Sequence, residues 1–164
     1  MPKPTPNKKY KEPGKHDPRA PLASSAAVQR SMQGNRGKDT KPELLLRQAL
    51  REVGLPGYRL HWPVPGRPDI AYPGRKVCVR VQGCYWHRCP HCQLQTPKTN
   101  SEFWAQKFGR NIARDERNEA ALKELGWTVI TAWECQIKKG SLAIASQIKT
   151  VIDDLITFTK YEHV

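Results

Sequence analysis

The sequence is poor in acidic residues and has no long apolar run. Its 164 residues include 15 Asp and Glu against 28 Lys and Arg, which gives a formal net charge of +13. Mean hydropathy is −0.71, and no apolar run approaches the roughly 20 residues that span a bilayer, so we expect no membrane protein. The excess of positive charge favours a polyanionic partner, because Lys and Arg that contact phosphates release counterions.

Cysteine is also scarce and unevenly spaced. Five cysteines are too few for the disulfide framework of a small secreted protein. The Pro- and Lys-rich N-terminus has none of the apolar stretch of a signal peptide. We therefore expect an intracellular protein, in which a cluster of cysteines indicates a metal site or catalysis.

The chain is predicted to form one mixed α/β domain with a tail. Residues 1–30 are basic, rich in proline and nearly without large apolar residues, which predicts a disordered tail. The folded domain is expected over 31–140, and a C-terminal helix over 141–164 would pack on it or extend it. The predicted order α-β-β-β-loop-α-β-α indicates a mixed sheet flanked by helices.

Local signals give the bounds of the predicted elements. Residues 40–43 have the form of a capping box, and the apolar spacing after it predicts a helix that ends at Gly54. A second capping box, from Thr99 to Glu102, opens a helix to about Glu124. The other predicted elements are strands at 58–62, 70–72, 76–82 and 127–133 and a last helix at about 141–159.

Four of the five cysteines have a spacing typical of a zinc site. Cys89 and Cys92 form a CxxC turn, Cys84 precedes it, and Cys135 ends a predicted strand. Four thiolates complete the tetrahedral shell of Zn²⁺ and leave no open position, which indicates a structural site. Spacing leaves His91 open as a rival ligand to Cys89, and reduced cysteines without metal are the alternative. Cys78, inside a strand, is predicted to be a core residue.

Two further residues are candidates for chemistry. Asp69 begins a predicted strand beside a neighbouring strand, an arrangement with which nucleases hold Mg²⁺; an aspartate in a proline turn is the alternative. His87 is a candidate general base, because imidazole titrates near neutral pH; the alternative is a surface histidine.

The predicted long helix carries a basic stripe beside an apolar one. A basic arc roughly 80° wide suits contact with a phosphate backbone, or it forms a solvated face with i,i+4 pairs. Its members are Lys107, Arg110, Arg114 and Arg117. Tyr85 and Trp86 are aromatics near basic residues, which stack on bases or wedge between them; the alternative is that they shield the cysteine loop.

Three stretches together closely resemble the very short patch repair (Vsr) DNA mismatch endonucleases. They are GKDTKPELLLRQAL, YRLHWPVPGRPDIAYPGRKVCVRVQGCYWHRCPHC and TPKTNSEFWAQKFGRNIARDERNEAALKELGWTVITAWEC. The resemblance covers about residues 31–137. It implies a fold like that of type II restriction endonucleases with an added structural zinc. It also implies a Mg²⁺-dependent endonuclease that nicks double-stranded DNA 5′ to the T of a T:G mismatch.

The resemblance further implies a partner and a location. T:G mismatches arise when 5-methylcytosine deaminates, typically in the target of a cytosine-5 DNA methyltransferase, which is therefore the expected functional partner. We expect a monomer in the bacterial cytoplasm, associated with the nucleoid.

Site residues follow from the resemblance position by position. Asp69 and the carbonyl of Val81 would bind Mg²⁺, His87 would activate water, and Glu43 would be a supporting acidic residue. The zinc ligands would be Cys84, Cys89, Cys92 and Cys135. The contacts to DNA would be Tyr85, Trp86, Trp104, Lys107, Arg110, Asn111 and Arg114.

Gln82 occupies a further catalytic position and departs from the family's pattern there. The residue before the GCYWH motif is usually His or Asp, and an amide can neither act as a base nor carry charge. Two alternatives stay open for this reason: a restriction-like endonuclease on matched DNA, and a catalytically weak DNA-binding protein.

Overall fold

A three-stranded mixed sheet flanked by helices forms the centre of the computed structural model. The structure describes residues 36–161, with side chains as far as Leu155, and residues 21, 26, 29, 30 and 34. The predicted tail at 1–30 lies almost entirely outside these residues. The mixed α/β class predicted from the sequence is confirmed.

Helices and strands alternate along the continuous part of the chain that the structure describes. They are α1 (Lys41–Glu52), β1 (Ile70–Tyr72), a 3-10 turn (Pro73–Arg75), β2 (Val77–Gln82), α2 (Ser101–Glu124), β3 (Thr128–Trp133) and α3 (Glu134–Tyr161). Strand β2 is central, pairing antiparallel with β1 and parallel with β3. Within the described ranges, no helix is long and apolar enough to cross a bilayer.

The two faces of β2 bury side chains in two different layers. Val77 and Val79 join the larger core, which α1 and α3 complete. Cys78 faces the other way, packs with Leu122 of α2 and with Trp127, and is fully buried as predicted. Because side chains alternate along a strand, Arg80 lies on the same face as Cys78 and also reaches α2.

The predicted capping box at the start of α1 is confirmed. Thr40 is the N-cap residue, and the Glu43 carboxylate accepts a hydrogen bond from the Thr40 hydroxyl at 2.7 Å and from its amide at 3.3 Å. These bonds satisfy groups that a helix start otherwise leaves unpaired. After the helix, Gly54 adopts a left-handed conformation with φ of 79°, which favours glycine.

Two predictions from local patterns are wrong. Residues 58–62 form no strand, only one isolated bridge between Arg59 and Ala71, because His61 is left-handed with φ of 49° and interrupts the extended chain. The second capping box does not form either. The N-cap of α2 is Asn100 in a left-handed conformation without a side-chain cap bond.

The last helix begins earlier than predicted. Helix α3 starts at Glu134, directly after β3, and contains a break at Gly140, where φ is −172° and ψ is 82°. The sequence pattern indicated only the part from Ser141, because the glycine interrupts the helical signal. The first six residues of α3 matter for the site, since they carry Cys135 and the buried Ile137.

Stability at high pH should depend on Tyr72. Its hydroxyl donates to the Leu55 carbonyl at 3.0 Å, and burial raises the pKa of Tyr72 to about 12, against about 10 in an unfolded chain. The stabilisation is complete below pH 10 and is lost as pH rises to 12. We expect Tyr72→Phe to lower the free energy of unfolding by about 1 kcal/mol at pH 8. Urea unfolding should show this difference shrinking towards pH 11.5; a constant difference would contradict the assignment.

Candidate active site and cysteine cluster

A cleft of about 760 Å³ opens between the start of α1, the end of β2 and one face of α2. Asp69, His87, Glu43, Gln82 and Val81 all line it. They come from three separate segments of the chain, so the fold brings together every residue predicted to take part in catalysis.

Asp69 is held at the edge of the sheet by the backbone of β2. Its Oδ2 accepts a hydrogen bond from the Val81 amide at 2.7 Å. Burial raises the pKa of the Asp69 carboxyl, the Val81 amide lowers it, and the negative charge of Glu43 raises it. Carboxylate and backbone carbonyl oxygens are the ligands that a hard divalent cation prefers. The donor set therefore fits Mg²⁺.

Glu43 is buried, and both of its carboxylate oxygens already accept hydrogen bonds at the start of α1. One oxygen accepts from the Asp39 amide at 3.0 Å and pairs with Arg47 at 2.9 Å. The other accepts from Thr40. Glu43 therefore anchors the start of α1 beside the cleft and acts on Asp69 through its charge.

His87 forms a pair with Asp115, a residue that was not predicted from the sequence. The Nδ1 of His87 is hydrogen-bonded to Asp115 Oδ2, and both side chains are about four-fifths buried, with exposures of 22% and 18%. With Nδ1–H donating to the carboxylate, Nε2 keeps its lone pair and can accept a proton. The only signal in the sequence was an acidic residue next to the basic stripe of α2.

The four predicted zinc ligands meet at one point. The Sγ atoms of Cys84, Cys89, Cys92 and Cys135 all lie within 4.8 Å of one another. Those of Cys89 and Cys135 are 3.7 Å apart, close to the ~3.8 Å between two sulfurs that each lie about 2.3 Å from a tetrahedral zinc ion. His91 is exposed and not part of this group, so the geometry favours Cys89 over His91. We call these four residues the cysteine cluster.

The chemistry of the cysteine cluster also fits a metal ion. Burial raises the pKa of the Cys84 thiol above its ordinary value, so its thiolate form needs a positive charge nearby. Bound Zn²⁺ supplies that charge. The Cys84 amide donates to the Glu134 carboxylate at 3.2 Å, and the Cys135 amide donates to Cys84 Sγ at 3.3 Å. These bonds tie the loop after β2 to the first turn of α3.

Five aromatic rings form an aromatic cluster between the loop after β2 and α2. Tyr85 packs edge-on against Phe108 with centroids 5.3 Å apart, and against Trp86 at 5.1 Å. Lys107 Nζ lies 5.2 Å from the centroids of both Trp86 and Trp104. The members are Tyr85, Trp86, Phe103, Trp104 and Phe108. Phe103 and Phe108 were not predicted as site residues; the only sign of them in the sequence is their helical spacing around Trp104.

The basic stripe of α2 divides into two parts. The Lys107 ammonium contacts rings of the aromatic cluster. The side chains of Arg110 and Arg117 are exposed to solvent. Arg114 is half-exposed and lies 3.3 Å from the Asp115 carboxylate. Asn111, also predicted to contact DNA, donates to the Trp86 carbonyl at 3.0 Å and so holds the loop that carries the rings.

Known proteins resemble this chain over most of its length. Residues 23–94 match the family described as DNA mismatch endonuclease Vsr. The type II nicking enzyme V.XorIIP of Xanthomonas oryzae pv. oryzae is 38% identical, covering 74% of this chain and 89% of that protein. The type II nicking enzyme V.NaeI of Lentzea aerocolonigenes is 40% identical over 70% of this chain and 71% of its own length. DNA mismatch endonuclease Vsr of Escherichia coli is 35% identical over 73% of this chain and 76% of its own.

Proposed function

The chain belongs to the Vsr family of DNA mismatch endonucleases, and we propose that it nicks double-stranded DNA on the 5′ side of the T in a T:G mismatch. The observation that carries the proposal is one cleft that holds both a partly buried carboxylate, Asp69, and a histidine–aspartate pair, His87 and Asp115. A metal-binding group and a base side by side are what hydrolysis of a phosphodiester needs.

His87 is the proposed general base. Asp115 accepts the Nδ1–H and so fixes the tautomer in which Nε2 takes a proton from the attacking water. The negative charge of Asp115 then stabilises the imidazolium that forms. Arg114, beside Asp115, places a positive charge at the mouth of the cleft, where a phosphate would approach.

Asp69 and the Val81 carbonyl are the proposed Mg²⁺ ligands. When bound, Mg²⁺ supplies positive charge that stabilises the phosphate oxygens during hydrolysis. The Val81 amide donates to one oxygen of Asp69, so the protein backbone itself orients the carboxylate. Glu43 adds a second negative charge and holds α1 against the cleft.

Gln82 leaves proton transfer to His87. It is buried at the end of β2 and lines the cleft, and its amide neither titrates nor carries charge. We propose that it takes no part in proton transfer.

The aromatic cluster is the proposed reader of the mismatch. Unstacking a base step costs a few kcal/mol, and stacking on an aromatic ring returns about 1–3 kcal/mol per base. Insertion is therefore favoured only at a pair that is already weak, such as a T:G wobble. Because Trp86 directly precedes His87 in the chain, its insertion would bring the mismatched base pair close to this general base.

The family and the mixed sheet support two wider proposals. Asp69 precedes β1, next to the central strand β2, and α2 packs on the face of the sheet opposite α1 and α3, as expected for a fold like that of type II restriction endonucleases. A cytosine-5 DNA methyltransferase is the proposed functional partner, because deamination of its product gives T:G pairs.

Nicking should fail when Asp69 or Asp115 loses its charge. We expect Asp69→Asn to abolish nicking in Mg²⁺, and Asp115→Asn to lower it by about 10²–10⁴-fold through the wrong His87 tautomer. Both should keep their affinity for the duplex. Single-turnover nicking of T:G and matched duplexes measures the rate, and binding without Mg²⁺ measures the affinity.

Arg75→Ala, in the 3-10 turn outside the cleft, is the control and should nick like the wild type. Full nicking by Asp69→Asn would remove Asp69 from the site. Equal nicking of matched DNA by the wild type would favour a restriction-like enzyme. Binding without nicking would favour a DNA-binding protein.

Each chain is expected to hold one zinc ion. Elemental analysis should give one zinc in the wild type, and Cys89→Ser or Cys135→Ser should lose it. Cys78→Ser and His91→Ala are matched controls outside the cysteine cluster and should keep it. Chelation should unfold the domain, because structural zinc contributes on the order of 10 kcal/mol. Purified protein without zinc would rule out the site.

Recognition and general affinity should separate by mutation. We expect Trp86→Ala to lower T:G nicking at least tenfold, an effect of about 1.4 kcal/mol, with little change in salt-sensitive binding to matched DNA. Arg110→Ala with Arg117→Ala should weaken binding to every duplex and reduce the salt slope by about one per charge removed. The wedge is wrong if Trp86→Ala leaves the preference for T:G unchanged.

A further inference from the structure

Arg80 connects the central strand to the helix that carries Asp115. From β2, its guanidinium donates to the Asp115 backbone carbonyl at 2.9 Å and to the Thr131 hydroxyl at 3.2 Å. It also pairs with the Glu119 carboxylate. The side chain is only 12% exposed, and it lines the cleft.

Placing this largely buried guanidinium between strand and helix costs free energy of solvation. Removing an arginine from water costs several kcal/mol unless its partners compensate, and Arg80 Nε is buried with no hydrogen-bond partner. An apolar side chain of similar size is often neutral or stabilising at such a position. On the same face of the sheet, two residues earlier in β2, Cys78 packs as an apolar side chain against Leu122. Packing of the fold alone therefore does not account for an arginine here.

The position of Arg80 in the chain gives it a second connection. The next residue, Val81, donates its amide to the Asp69 carboxylate at 2.7 Å. Residues 80 and 81 are thus bonded to both halves of the site, to Asp69 through one backbone amide and to Asp115 through one guanidinium. Asp115 is bonded at both ends, by Arg80 at its carbonyl and by His87 at its carboxylate.

We propose that Arg80 is a positioning residue, which sets the distance between Asp69 and the His87–Asp115 pair by holding α2 against β2. This inference rests on the proposed function. The role is geometric, because the acceptor on Asp115 is a neutral carbonyl and the charge of Arg80 is balanced by Glu119. Glu119 also pairs with Lys123 at 2.8 Å, an exposed residue that has no bond to Asp115 among the described contacts.

The test is Arg80→Met, which keeps an unbranched side chain and removes every donor. We expect the single-turnover rate constant on a T:G duplex in Mg²⁺ to fall by about 10–100-fold, because a displacement of about 1 Å can cost that much. The Kd for the same duplex without Mg²⁺ should change less than about twofold. Lys123→Met is the matched control: it removes the other partner of Glu119 and should leave both values unchanged.

A second measurement needs no DNA. In ¹⁵N-labelled protein at one fixed pH, the Nδ1–H of His87 should give a hydrogen-bonded proton signal in the wild type and in Lys123→Met. That signal should be shifted or lost in Arg80→Met. If the wild type fails to nick T:G duplexes while the signal still depends on Arg80, the proposed function is wrong and the positioning role stands.

Arg80→Lys covers the case in which Arg80→Met does not fold, as judged by far-UV circular dichroism and zinc content. Lysine keeps the charge but lacks the planar fork, so we expect an intermediate loss of rate with unchanged Kd. Wild-type rate and a wild-type His87 signal in a folded Arg80 variant would overturn the inference. So would an equal loss of rate in Lys123→Met, or the failure of both Arg80 variants to fold.

Discussion

The parallel pairing of β2 with β3 is the constraint on which both sites depend. Its register places Gln82 opposite Trp133, so the two strands end at the same edge of the sheet. The loop after β2 and the first turn of α3 therefore begin side by side, which is how Cys84 and Cys135 meet. A slip of one residue would exchange the faces of β2 and move Arg80 away from α2. The positions of the cysteine cluster, of His87 and of Asp69 therefore all depend on this one strand pairing.

The sequence predicted correctly those features that one short segment of the chain determines. The capping box at Thr40 and Glu43, the strands near 70–72 and 77–82 and the CxxC turn each depend on neighbours a few positions apart. The buried position of Cys78 followed from its place in a β-branched run. The fourth member of the cysteine cluster, Cys135, was also predicted, from its position at the end of a predicted strand.

Contacts between segments that are distant in the chain could not be predicted from the sequence. The His87–Asp115 pair spans 28 positions and the Arg80–Asp115 bond spans 35, and both depend on how α2 packs on the sheet, which no hydrophobic period encodes. At residues 58–62 a local pattern predicted a strand that does not form. Their alternation is genuine, but the left-handed residue within them prevents pairing. The break at Gly140 likewise hid the first turn of α3, although that turn carries a member of the cysteine cluster.

The cysteine cluster also has a consequence for chain entropy. Cys84 and Cys135 are 51 positions apart, so an ion bound by both closes a loop that contains all of α2 and β3. For a cross-link, closing a loop of that length removes about 4 kcal/mol of conformational freedom from the unfolded chain. With such an ion bound, the segment that contains α2 would be linked at both ends to the end of β2, the strand whose Val81 amide binds Asp69. If α2 then opened locally, the closed loop would limit how far Asp115 could move from Asp69.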